Sequence, residues 1–216
     1  MIALVRYTGS DLLRSQRWVA PLLCFLGAEA IIDANTGSVL PTYALSATIL
    51  LFIATWLTIV ITNHEDPVQH EVTIVTAGSR AKVRLAKLLT AYLACAGLGL
   101  IGLIGPPLAS SGGVTLGDLG AGAAAHLVTG LAGVALGALC SRPIVRQTAW
   151  ALLIAVLIDL TDVVVPSGVP TRQLLVLFNK TAPRDLVWTI GLIAVETLAI
   201  AAVAVMASVR LARLRS

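Results

Sequence analysis

Charge is scarce in this chain: 12% of its 216 residues are Asp, Glu, Lys or Arg, against 57% hydrophobic residues. A soluble domain of that length could not cover so much apolar surface, and the mean hydropathy of +0.92 argues the same way. Cysteine is scarce too. Cys24, Cys95 and Cys140 are an odd set without paired spacing, in or beside apolar segments. That argues against a disulfide framework and against a zinc site, and leaves them as small packing residues. A G-x-x-x-x-G-K-[ST] run is also missing, so this chain cannot bind nucleotide in that way.

What is present is a series of long apolar runs. Runs of about 18 or more such residues read as bilayer crossings. The pattern predicts an all-α integral membrane protein, a single six-transmembrane-helix bundle over residues 1–216, with spans near 18–32, 43–62, 85–105, 119–140, 147–165 and 186–209. Met1 to Arg17 is too polar to span. As a helix it gathers Ile2, Val5, Leu12 and Leu13 on one face and Arg6, Ser10, Arg14 and Arg17 on the other, an amphipathic elbow for the membrane interface. Ala28-Glu29-Ala30 resembles a signal-peptide cleavage site, but the long arginine-rich stretch before it favours a retained first span.

The formal charge of +4 and pI near 9.3 could suggest nucleic-acid binding. The basic residues cluster at span ends instead, so no nucleic-acid partner is expected. One side holds Arg6, Arg14, Arg17, Arg80, Lys82, Arg84, Lys87, Arg142, Arg146, Arg210, Arg213 and Arg215; the other holds Arg172, Lys180 and Arg184. That split makes the rich side cytoplasmic and puts both termini there. Trp18 and Trp150 then anchor inner span ends and Trp188 an outer one. The expected location is the plasma (inner) membrane, and the excess of arginine over lysine with abundant alanine fits a GC-rich bacterial source.

The most informative connection is residues 64–78. Asp66 before Pro67 starts a helix and Gly78 stops it. Between them lie roughly three turns with Val68, Val72 and Val75 on one side. Ser79 is placed to cap the next helix, whose start carries Arg80, Lys82, Arg84 and Lys87. The segment reads either as a docking element across the mouth of two spans or as a polar loop with a helical turn. His64, Glu65, His70 and Glu71 invite a metal reading, but the histidines are six apart with Pro67 between them, not one turn apart as in H-E-x-x-H. No metal is expected.

An amphipathic N-terminal helix, six spans with both ends inside and a structured loop after span two resemble the membrane subunits of ABC-2 type transporters. The local likeness runs through the acidic stretch Glu65 to Glu71, the break Thr76-Ala-Gly-Ser-Arg and the basic run Lys82 to Lys87. The resemblance implies a permease subunit, an exporter, with residues 64–78 as coupling helix and Glu65, Asp66, His70, Glu71, Gly78 and Arg80 as its ATPase-coupling residues. It implies a separate cytosolic ATPase holding ATP and Mg, and a homo- or heterodimer with a second permease subunit. No cofactor on this chain and no enzymatic activity of its own are expected.

Acids inside the spans are the second candidate. A charge at mid-bilayer costs about 2.5–3.5 kcal/mol on insertion scales, so such groups face protein or water. Glu29 lies late in span one, Asp159 and Asp162 share a face of span five, and Glu196 sits near the middle of span six. With the resemblance, Glu29, Asp159 and Asp162 would line a translocation path; without it, they hydrogen-bond neighbouring helices or lie at the outer headgroups. Gly133 and Gly137, with Gly99, Gly102 and Gly105, predict close helix packing. His126 stands alone in span four, too few for haem, and reads as a hydrogen-bonded structural residue. Residues 166–185 read as an outer lid or a loop resting on lipid. The competing functions are a secondary carrier or channel using the buried acids and a non-transporting scaffold; an intramembrane protease lacks its constellation.

Overall fold

The computed structural model describes residues 1–34, 37–110, 113–142, 144–145, 147–164, 170–180 and 183–214. Among these it is all helical. The helices are α1 (Ile2–Ser15), α2 (Val19–Ala34), α3 (Val39–Asn63), α4 (Pro67–Ala77), α5 (Arg80–Ala109), α6 (Leu116–Cys140), α7 (Thr148–Val164), α8 (Pro170–Lys180) and α9 (Pro183–Leu214). Arg146 and Arg215, two of the predicted topology charges, lie outside the described residues. So do the side chains of Lys180, Arg184 and Arg213, and residues 165–169, 181 and 182 around the outer segment.

Among the described residues, four helices are long and apolar enough to cross a membrane: α3, α5, α6 and Trp188–Arg210 of α9. The expected first and fifth spans are shorter. With 16 and 17 residues, α2 and α7 reach about 24–26 Å at 1.5 Å per residue, against a hydrocarbon core of about 30 Å.

The centre of the bundle is α3, which packs against α2, α5, α6, α7 and α8. Its contact with α6 is close because α6 turns glycines toward it. A Cβ on Gly133 would come within 2.6 Å of the Ala54 Cβ and the Leu51 carbonyl, and one on Gly137 within 2.6 Å of the Thr58 Cβ. Only a residue without a side chain lets the two backbones lie this near, as small-residue packing in lipid requires.

Four expectations change in detail. The predicted apolar face of α1 divides: Leu12 is buried with Leu88 and Ala91 of α5, while Ile2 and Leu13 point outward. Span three does not end at Pro106-Pro107, because α5 continues to Ala109. Pro107 has no N–H for the Leu103 carbonyl four residues back, and the Tyr43 hydroxyl donates there instead at 3.0 Å. Ser79 occupies the N-cap position of α5 in extended backbone, but its side chain makes no capping bond. In the segment expected to lie on the outer side, α8 is a separate helix with Leu174, Leu177 and Phe178 buried beside Val39 and Tyr43. It rests on protein rather than only on lipid.

Candidate functional site

The segment singled out in the sequence folds as a capped helix at one end of the bundle. The Asp66 carboxylate accepts from the Val68 amide at 2.9 Å, Pro67 fills the first turn, and Gly78 closes the helix at φ 69°. That left-handed conformation suits glycine, and the Gly78 amide donates to the Val75 carbonyl at 3.2 Å.

One face of α4 is locked down. Glu65, just before the helix, is 6% exposed and receives three donors. Lys87 of α5, itself 4% exposed, places its Nζ 2.5 Å from Glu65 Oε2. His70 Nδ1 lies 3.0 Å from the same oxygen, and the Thr73 hydroxyl donates to Oε1 at 2.9 Å. A carboxylate only accepts, so the 3.0 Å contact has His70 Nδ1 as its donor, which leaves the 3.4 Å approach of Lys87 Nζ to the same nitrogen a contact rather than a hydrogen bond. Burial pushes the Glu65 carboxyl up, but His70, Lys87 and Thr73 together outweigh it and hold it down at about 2. Glu71 and Arg80 form a bidentate pair at 3.0 Å across the Gly78 turn. This pair is exposed, so it contributes orientation more than stability.

The rest of the same end is tied together by long-range polar contacts. Asp11 of α1 meets His64 Nε2 at 2.6 Å, at the end of α3. The Gln69 amide of α4 donates to the Tyr7 hydroxyl of α1 at 2.6 Å. Arg84 of α5 reaches under the end of α6, donating to the Ala138 carbonyl at 2.7 Å, to the Ser141 hydroxyl at 3.0 Å and to the Arg142 carbonyl. A cation there satisfies carbonyls that the helix end leaves open and opposes the dipole. The Arg142 amide donates to Asn63 Oδ1 at 2.9 Å.

The opposite face of α4 is bare. Val68, Val72 and Val75 are 73%, 61% and 80% exposed. They stand at i, i+4 and i+7, one stripe on one side of the helix.

The structure thus brings together Glu65, Asp66, His70, Glu71 and Gly78 on α4 and its two ends, with Arg80 opening α5; Glu65 is buried, His70 partly exposed and Glu71 exposed. The two histidines serve separate acids, His64 with Asp11 and His70 with Glu65. Among the described residues, no three His, Cys, Asp or Glu side chains are grouped to hold a metal. Sequence reading missed Asp11, Thr73 and the pairing of Lys87. The available signal was Lys87 itself, a lysine beyond the start of an apolar run.

Of the acids expected inside the spans, Asp159 and Asp162 are neighbours on α7, while Glu29 stands apart from them. Glu29 meets Ser46 at 2.7 Å and Asp159 meets Thr55 at 3.3 Å. Nine residues apart, Ser46 and Thr55 lie on opposite sides of α3 and about 13 Å apart along it. Asp162 is buried on α7 one turn from Asp159, and Glu196 is exposed on α9. No family model, no curated protein and no solved structure matches this chain.

Proposed function

We propose that this chain is the permease subunit of an ABC-2 type exporter, with α4 as the helix that receives a separate cytosolic ATPase. One observation carries the reading. On α4, one face is clamped to α5 through the buried Glu65–Lys87 pair, while the other presents Val68, Val72 and Val75 bare. An apolar stripe held rigidly outside the bundle suits an apolar groove on a partner. The clamp would carry a push on α4 directly into α5.

On this reading α2 and α7 are the two remaining crossings, short ones that a bilayer accommodates by local thinning. The end bearing α4 is cytoplasmic, both termini lie on that side, and a second permease subunit completes the machine. The ATPase supplies ATP hydrolysis; this chain supplies the path.

The test is capture of the ATPase in detergent. Val68→Asp with Val72→Asp is expected to release it while the permease elutes unchanged on size exclusion. A chain that transports on an ion gradient with no ATPase bound would sink the proposal. That outcome favours the secondary-carrier reading, which the buried Glu29 and Asp159 support.

A further inference from the structure

Inside the bundle, α2, α3 and α6 meet at three polar side chains. Ser46 on α3 is fully buried, and Glu29 on α2 and His126 on α6 are each 4% exposed. The Ser46 Oγ lies 2.7 Å from Glu29 Oε1 and 2.8 Å from His126 Nε2. The other ring nitrogen, Nδ1, is 2.7 Å from the Gly122 carbonyl. A carbonyl oxygen only accepts, so Nδ1 carries a hydrogen, and Nε2 of a neutral ring is then a lone pair.

Counting protons shows what this geometry requires. An ionised Glu29 offers lone pairs, a neutral His126 offers a lone pair at Nε2, and the hydroxyl between them has one hydrogen. One hydrogen cannot serve two acceptors. Both contacts are made when the triad holds one more proton. In one arrangement Glu29 carries it on Oε1 and donates to Ser46, and Ser46 donates to Nε2. In the other His126 carries it on Nε2 and donates to Ser46, and Ser46 donates to Glu29. Either way the triad is neutral overall. Without that proton it has one net negative charge and one hydrogen bond fewer.

We propose that Glu29, Ser46 and His126 form a binding site for a single exchangeable proton, whose occupancy governs how α2 is seated on α3. The surroundings suit so small a ligand. From α5 the site is covered by bare backbone: a Cβ on Gly102 would lie 2.5 Å from Ser46 Oγ and 2.8 Å from His126 Nε2. On that side there is no room even for a methyl group. Glu29 Oε2 is buried without a hydrogen-bond partner, so the carboxyl is held through Oε1 alone. When the proton leaves, the hydroxyl can serve Glu29 or His126 but not both. The tie from α3 to α2 then competes with the tie from α3 to α6.

The other titratable groups facing the triad are few. Asp33 lies one turn beyond Glu29 on the same face of α2, over Gly105 of α5. Tyr43 of α3 stands edge-on to the His126 ring, with centroids 6.2 Å apart, and its hydroxyl is committed to Leu103. Asp118, two turns away on α6, is committed to Thr115. Among the described residues no lysine or arginine hydrogen-bonds to the triad. The site stands apart from the transporter reading: it holds for a machine driven by ATP, by a gradient, or for a subunit that moves nothing.

The experiment is a pH titration of the whole chain in lipid nanodiscs, followed in two ways. Infrared difference spectra read the C=O stretch of protonated carboxyls, and Glu29→Gln assigns the Glu29 band. ¹⁵N-histidine spectra read the ring of His126, one of three histidines. The expected result is one shared midpoint for the Glu29 band and the His126 ring, which Ser46→Ala splits into two. Separate midpoints in the unaltered chain, or no titration of either group while the protein stays folded, would overturn the proposal. Should Glu29→Gln fail to fold, the His126 spectrum of the unaltered chain still decides. A ring whose Nδ1 is unprotonated in its neutral form breaks the proton count.

Discussion

The Tyr43 hydroxyl of α3 donates to the Leu103 carbonyl of α5 at 3.0 Å, occupying the acceptor that Pro107 leaves open. One side chain on a neighbouring helix thus replaces one of the two backbone hydrogen bonds that the consecutive prolines remove from α5. Tyr43→Phe is expected to cost about 1 kcal/mol, the usual net value of a hydrogen bond. Pro107→Ala restores a backbone donor, so adding it should recover much of that loss. Reversible unfolding in mixed micelles measures all four corners of the cycle; simple additivity would show that the two residues act independently.

The Glu65–Lys87 pair is buried on both sides, so removing one partner strands the other. Lys87→Met, which leaves the carboxylate without its cation, should lose about 3–5 kcal/mol, and Glu65→Gln with Lys87→Met considerably less. Thermal unfolding of the single and double variants compares them.

Acid should loosen the α4 end in a defined window. Glu65 is held at about 2, below its ordinary value of 4.5. Its contribution is therefore complete above about pH 4.5 and is lost as pH falls toward about 2. Protection of the α4 amides, each exchange rate compared with its intrinsic rate at the same pH, should fall over that range in the unaltered chain. Glu65→Gln should remove that pH dependence, and equal slopes for both proteins would refute the assignment.

Close packing of α6 on α3 gives a test with an internal control. Gly133→Ala should destabilise by about 1–3 kcal/mol, since its new Cβ meets Ala54 and the Leu51 backbone. Gly97→Ala on α5, where nothing lies within 4 Å, should be neutral or slightly stabilising. Both are read as midpoint shifts on denaturant titration.

Arg84 closes the end of α6, so Arg84→Met should fray it. Faster exchange is expected for the last turn of α6, with little change near Thr115, where a capping box holds the other end. Uniform acceleration along α6 would instead indicate global destabilisation.

Some of this was legible in the residues. Long apolar runs set where the helices lie, because hydropathy and helical period are local properties of a stretch of chain. Asp66, Pro67 and Gly78 bounded α4 for the same reason: a cap, a fixed φ and a left-handed stop act within one turn. The stripe Val68, Val72, Val75 followed from period alone, but only the fold showed it to be the side left uncovered.

The partners of the polar groups were not legible. Glu29 finds Ser46 17 positions on, Ser46 finds His126 80 positions on, and Thr55 finds Asp159 104 positions on. In a chain this apolar, a buried polar side chain must be satisfied by whichever helix lies beside it, and sequence does not say which that is. Tyr43 shows the same limit from the other side. Local rules stop a helix at Pro106-Pro107, yet α5 continues to Ala109, with a hydroxyl from α3 serving the carbonyl that Pro107 leaves open. The sequence by itself determined an apolar, helical chain with a capped helix between two long ones. Tertiary packing decided which acids meet, which face stays bare and where α5 ends, because each depends on contacts between residues distant in the chain.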